Sequence, residues 1–267
     1  MRIQIIGAHP DDCEFRCGGT TALWTARGDT VQYVSLTDGC CGHHETEPGP
    51  LVKRRRLEAE AAAAIAGAHC RVLDIPDGHL EPTLENRLRV IRLIRKFQPD
   101  LVITNRPNDY HADHRYTAQL VQDASFLLMV PNVAPEAPAM AAMPVIAYFW
   151  DGFKKPTPFQ PDIAVDIDPV YDNKLCQLAA HESQFFEWLP HVDGSHEPVP
   201  ADSGRRMPWL KAYFEWLHTP SIADFSREVL LQRYGTPRAS TIAQAESFEL
   251  CEYGKQPTPA QFQTLFP

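Results

Sequence analysis

The chain reads as an α/β protein: a Rossmann-like, doubly wound, mostly parallel sheet with helices on both faces and a decorated C-terminal region. Three observations predict this. Short Ile- and Val-rich runs alternate with helical patterns through the first 130 residues, which is how a parallel sheet with right-handed crossovers is written. Ionisable residues gather directly after the first and fourth of those runs, where an open parallel sheet binds its ligands. Between residues 131 and 169 eight prolines interrupt the chain, so the regular alternation stops there.

Taken in order, residues 3–8, 30–36, 71–75 and 101–104 are expected strands, bounded by Gly, Asp or Pro. Residues 19–27, 53–66, 84–97 and 114–129 carry apolar positions at helical spacing. The second of these is mostly Ala, Glu and Arg, strong helix formers, with Gly67 placed to end it. In the Pro-rich segment residues 145–150 and 163–167 fit edge strands. Helical patterning returns over 170–189, breaks in a polar loop at 190–208, and resumes over 209–217 and 222–234. Without repeats or low-complexity tracts, the expectation is one domain over 1–267, with a core at 1–130 and a specificity region at 131–267.

Composition narrows the function. The 267 residues include 25 Lys+Arg and 34 Asp+Glu, a formal charge of −9. An acidic chain argues against a general nucleic-acid or anionic-membrane binder. Neither a signal-peptide pattern nor a membrane-length apolar run is visible. With seven Cys, an odd number, reduced thiols and a cytoplasmic location are the default. Cys13, Cys17, Cys70, Cys176 and Cys251 are expected to be small buried residues. Adjacent Cys40 and Cys41 lack the spacing of a zinc or redox pair.

After the first strand stand Ala8-His9-Pro10-Asp11-Asp12-Cys13-Glu14. Asp11 or Asp12 could simply cap a helix beginning near Gly18. Three ionisable side chains at a strand's carboxyl end are better explained by a ligand: His9 and Asp12 can converge on one cation while Asp11 points elsewhere. After the fourth strand stand Asn105-Arg106-Pro107-Asn108-Asp109-Tyr110-His111-Ala112-Asp113-His114. In a sheet ordered 3-2-1-4-5 the two loops face each other across the switch point. His9, Asp12 and a histidine of the second loop then form a two-His, one-carboxylate set, with the open position of a catalytic zinc site. Among Arg54, Arg55 and Arg56, one could reach a polar substrate, or all could form a solvated helix face. His43 and His44 either line the entrance or are loop histidines without a role. No dinucleotide fingerprint and no nucleophile elbow is present.

These motifs resemble the PIG-L/LmbE-type zinc-dependent N-deacetylases. The resemblance rests on Ala8-His9-Pro10-Asp11-Asp12, Gly18-Gly19-Thr20 and His111-Ala112-Asp113-His114. Further landmarks are Leu36-Thr37-Asp38-Gly39, Arg55 with Glu58 and Ala62, Asp77-Gly78, Arg95 with Pro99-Asp100, and Lys174 ahead of His181 and Ser183-Gln184. It spans about residues 1–190, with Ala245-Glu246 and Phe248 as a further match. It implies hydrolysis of an acetyl group from an N-acetylated amino sugar or sugar conjugate, with one Zn²⁺ held by His9, Asp12 and His114. Asp11 would be the general base, and His111, oriented by Asp113, would stabilise the oxyanion. Arg55, Tyr110, Asp109 and His43 are the implied substrate contacts, and a trimer or hexamer is compatible. Arg16 stands where a small residue is common. Cys13, Arg16, His44 and residues 190–267 receive no role. Other readings are a zinc amidase on a non-acetyl amide or thiol-sugar conjugate, a non-catalytic metal- or carbohydrate-binding relative, and a nucleotide-sugar transferase.

Overall fold

The computed structural model describes residues 1–194 and 197–267; residues 195 and 196, within the expected polar loop, lie outside the described residues. Its centre is β1 (Arg2–Gly7), flanked by β2 (Thr30–Thr37) and β4 (Leu101–Thr104), with β3 (His69–Ile75) outside β2. β5 (Val145–Phe149), β7 (Ala245–Leu250) and β6 (Ile163–Asp166) complete the order β3-β2-β1-β4-β5-β7-β6. The first five strands pair in parallel, and β7 runs antiparallel to both β5 and β6. The fold is α/β, with the doubly wound order the alternation implies.

Alternation along β1 divides the core. Ile3 and Ile5 pack on one face with Cys13, Trp24, Ala63, Leu175 and Trp209. Those residues come from α1 (Asp12–Ala26), α2 (Pro48–Ala66), α5 (Tyr171–Ala180) and α7 (Arg206–Leu217). Ile6 faces the other way, onto Val90, Ile94, Leu120 and Val121 of α3 (Leu84–Phe97) and α4 (Ala112–Ala124). Each fully buried Ile is worth roughly 1.5–3 kcal/mol, so a strand buried on both faces anchors both layers. α6 (Leu189–Asp193), α8 (Ile222–Phe225), α9 (Arg227–Ala239) and α10 (Pro259–Leu265) lie in the C-terminal third. No helix is long and apolar enough to cross a membrane among the described residues.

Four expectations need correction. The first helix begins at Asp12, not near Gly18, because Gly18 and Gly19 sit inside it for close packing rather than at its start. A Cβ on Gly18 would lie 2.8 Å from Gln177 Oε1, and one on Gly19 2.8 Å from Ile167 side-chain atoms. β5 is no edge strand: β7 covers its outer side, and all five of its residues are buried. The expected helix over 114–129 ends at Ala124 and continues as a 3₁₀ turn at Phe126–Met129. There the buried Arg95 guanidinium donates to six carbonyls between Leu127 and Ala137, so the Pro-rich segment is held by one side chain. Cys176 is exposed and Cys70 half-buried, whereas Cys13, Cys17 and Cys251 are buried; all seven thiols are free.

Strand β7 also ties the C-terminal third to α1. The buried Glu246 carboxylate accepts from Gly19 N (2.9 Å), Thr20 N (2.7 Å) and Thr20 Oγ1 (2.6 Å), and pairs with buried Lys174. Glu246→Ala leaves the Lys174 ammonium buried and alone, and should cost about 3–5 kcal/mol. Chemical denaturation measures this. A loss below 1 kcal/mol would mean that Lys174 finds water or another acceptor.

Candidate active site

The site forms where β1 and β4 end side by side. The turn after β1 is fixed from β2: Thr37 N and Oγ1 both donate to Ala8 O at 2.8 Å, and Ser35 Oγ donates to His9 O at 3.1 Å. Asp12 opens α1, and its Oδ2 accepts from Ala8 N (2.8 Å) and His9 N (3.0 Å). One carboxylate oxygen therefore locks the turn, while Oδ1 lies 3.4 Å from His114 Nε2. His114 sits in the first turns of α4, and its Nε2 is 3.1 Å from His9 Nδ1. One donor atom each from His9, Asp12 and His114 falls within a 4.8 Å cluster able to hold a metal ion.

The far side of each imidazole meets a carboxylate. His9 Nε2 is 3.1 Å from Asp77 Oδ1 and 3.4 Å from Asp113 Oδ2, and His114 Nδ1 is 3.0 Å from Asp109 Oδ1. That is the outer arrangement of metal-ligating histidines, which fixes the tautomer and raises ligand basicity. His9, His111 and Asp113 form a second possible cluster. It would use His9 on the side already taken by Asp77, so the first set is the better donor geometry.

Electrostatics give the same answer. Burial opposes charge on His9, but Asp113, Asp77 and Asp12 outweigh it and push the imidazole up to about 10. Burial also opposes charge on His114, yet Asp12 and Asp109 bring it up to about 9. Asp12 is held well below the carboxylate range against burial, chiefly by His114, and Asp77 is held down to about 2, chiefly by His9. A dry pocket this rich in carboxylates draws in positive charge. Protons meet that demand in part, and a divalent cation on the facing ring nitrogens would meet it more fully.

Asp11 is placed differently. Its Oδ2 accepts from Arg55 Nη2 at 3.0 Å. Burial and Asp12 raise its pKa, and Arg55 and His181 pull against them; the net shift is upward. His181, fully buried, has Nε2 3.4 Å from buried Glu14 Oε1.

The other residues singled out from sequence divide clearly. Arg55 is 2% exposed, and its Nη1 donates to Gly39 O at 3.0 Å. It braces Asp11 from behind and does not reach the mouth. Arg54 forks onto Glu187 at 2.6 and 2.7 Å, and Arg56 is exposed. His43 is spent on Glu187 (2.9 Å) and on the Glu45 and Thr46 backbone (3.0 Å each). Asp109 faces His114, not solvent. Tyr110 is 73% exposed, with its ring 6.0 Å from that of His114. His111 ends up 4.6 Å from His9 between ring centroids. Asp113 meets His111 through its backbone: its N–H donates to His111 Nδ1 at 3.1 Å, while its carboxylate accepts from Gly78 N at 2.7 Å. His44 stacks on His191 at 3.9 Å. Cys13 donates to Ile5 O and Val34 O from the core. Asp77, Glu14 and His181 were given no role from sequence. For Asp77 the signal was its position just after the third strand.

Comparison with known proteins agrees with this geometry. The family profile described as PIG-L: GlcNAc-PI de-N-acetylase matches residues 4–125. The diacetylchitobiose deacetylase of Thermococcus kodakarensis is 33% identical over 202 residues, 72% of this chain and 74% of that protein. The 4-oxalmesaconate hydratase of Pseudomonas putida is 28% identical over 192 residues, 69% of this chain and 74% of that one. The N,N'-diacetylchitobiose deacetylase of Pyrococcus horikoshii, solved with an inhibitor, superposes with a TM-score of 0.69 at 25% identity, covering 94% of this chain and 84% of its own.

A cation bound to His114 would depend on Asp109 behind the ring. Asp109→Ala should weaken Zn²⁺ binding roughly 10- to 100-fold, as loss of such an outer partner does, in titrations against a competing chelator. Unchanged affinity would show that Asp109 does not support a metal ligand at His114.

Proposed function

The chain belongs to the PIG-L family of de-N-acetylases, and from that premise we propose that it is a zinc-dependent hydrolase that removes the acetyl group from an N-acetylated amino sugar or sugar conjugate. The observation that carries the reading is Asp11: a carboxylate beside the His9–Asp12–His114 cluster, aligned by buried Arg55 at 3.0 Å. Binding a metal alone would not need it.

His9, Asp12 and His114 would hold the ion, leaving an open position. When bound, such a cation polarises the amide carbonyl and acidifies water at the site. Asp11 takes the proton of the attacking water and returns it to the departing amine. Its raised pKa suits both roles, since a base that must also act as an acid works best nearer neutrality. Arg55 keeps that carboxylate from turning away and balances its charge. His111 supports the oxyanion. Because its Nδ1 accepts the Asp113 N–H, the proton of the neutral ring resides on Nε2. Burial, with His9 and His114, lowers its pKa and favours that neutral form, which donates to the developing negative oxygen. Exposed Tyr110 lies over this side of the site as a substrate contact.

Three measurements test the reading. The metal-loaded protein should release acetate from N-acetylglucosamine or N,N'-diacetylchitobiose, and a chelator should abolish the release. Asp11→Asn should keep stoichiometric zinc and lose at least about 10²-fold in kcat, the scale of a general acid–base residue. Addition of water to an unsaturated acid without acetate release would instead place the chain with its hydratase relative. An active Asp11→Asn protein would remove Asp11 as the base.

A further inference from the structure

Among the described residues, Arg16 is the arginine near the site whose hydrogen-bond donors the protein leaves unused. Arg54, Arg55 and Arg106 are each paired with a carboxylate at 3.0 Å or less, and Arg95 is saturated by carbonyls. Arg16 is half-buried, yet forms no hydrogen bond or ion pair with any described residue. Its guanidinium carbon lies 4.8 Å from the Phe15 ring centre and 5.9 Å from that of Trp150. It sits one turn after Asp12 on α1, about 6 Å along the axis. Its charge reaches the Tyr110 phenol, whose ring lies 6.0 Å from His114.

A second donor is idle beside it. Trp150 follows β5, and its indole Nε1 is buried with no hydrogen-bond partner. A buried indole N–H normally finds an acceptor. Around these two groups the walls are aromatic: His218 is 5.7 Å and Phe225 6.2 Å from the Trp150 ring, and Phe15 is 5.2 Å from His218. Burial, reinforced by Arg16 and Lys174, drives His218 down to about 3. It is thus a neutral wall and no second cation.

We propose that Arg16 and Trp150 form a carboxylate-binding subsite beside the metal cluster, so that the substrate is an acidic N-acetylated compound. The assignment of the reaction rests on the N-deacetylase reading; the subsite itself does not. A guanidinium fork matches the two oxygens of a carboxylate, and the indole N–H supplies one further donor. The aromatic neighbours lower the local polarity and strengthen the pairing. A phosphate dianion fits less well, since it would bring two charges to a single guanidinium close to Asp11, Asp12 and Asp109.

Calorimetric titration of metal-loaded Asp11→Asn protein tests this with three probes: N-acetylglucosamine, N-acetylmuramic acid and N-acetylglucosamine 6-phosphate. The carboxylate sugar should bind roughly 10- to 100-fold more tightly than the neutral one, the contribution of a charge-assisted hydrogen bond, and more tightly than the phosphate. Arg16→Gln should bring the acid-to-neutral ratio to within about twofold, Arg16→Lys should keep part of it, and Trp150→Phe should reduce it severalfold. Circular dichroism and zinc content verify each variant, and Arg16→Lys carries the test if Arg16→Gln does not fold. Equal affinity for acid and neutral sugars, absence of binding by the acid sugar, a preference surviving Arg16→Gln, or tighter binding of the phosphate would each overturn the subsite. An Arg16-dependent acid preference without acetate release by the wild-type protein would uphold the subsite and remove the deacetylase reading.

Discussion

Everything at the functional end of this fold is organised by one constraint: a set of carboxylates buried around two facing imidazoles needs positive charge between them. Asp12, Asp77, Asp109 and Asp113 surround His9 and His114 at 3.0–3.7 Å. Burying that many anions costs several kcal/mol each unless they are compensated. The imidazoles are driven basic in response, and backbone N–H groups of Ala8, His9 and Gly78 donate to the Asp12 and Asp113 carboxylates as well. A site with this balance suits a cation. The proposed catalytic use adds one more carboxylate, Asp11, whose partner is Arg55 and not an imidazole.

The sheet makes that concentration of charge possible. β1 and β4 are adjacent and parallel, so their carboxyl ends deliver His9–Asp12 and Asp109–His114 to the same edge. β2 holds the first loop through Thr37 and Ser35, and the turn after β3 supplies Asp77 and the Gly78 N–H. Four strand ends therefore converge on a cluster only a few ångströms across. The same logic explains the buried Glu246–Lys174 pair. Glu246 grips the Gly19–Thr20 backbone of the helix that carries Asp12, so the last strand steadies the first functional helix.

How much of this could be read from residues alone varies with the physics. The order β3-β2-β1-β4-β5 is one of the doubly wound orders, and on that premise residues about a hundred positions apart could be brought together without a structure. Local breaker rules failed at Gly18-Gly19, because glycine there answers to tertiary contact with Gln177 and Ile167. Strand β7 was missed because its sequence, Ala245–Leu250, alternates only weakly and contains two glutamates, one of which is buried for its hydrogen bonds. Arg55 illustrates a different limit. Its helix and register were legible, but three consecutive arginines look alike in sequence. Only burial separates the one that braces Asp11 from Arg54, bound to Glu187, and Arg56 in solvent.

In the proposed reading, chemistry and selectivity meet on α1, which carries both Asp12 and Arg16. The groups assigned to the proposed reaction come from the ends of β1 to β4, where the backbone is fixed by the parallel ladder. The aromatic groups around Tyr110 and Arg16 come largely from elsewhere: Trp150 after β5, Phe153 against Tyr110, His218 after α7, Phe225 in α8. These elements lie in or after the Pro-rich segment, and the antiparallel β7 and the Arg95 clamp anchor that region to the sheet. Rigid anchoring matters because aromatic walls define a pocket only if they stay in place. A half-buried guanidinium whose protein contacts are ring faces alone keeps its hydrogen-bond donors unused. In the proposed subsite the acceptor arrives with the substrate, which would separate what the protein does to a bond from how it selects the molecule carrying it.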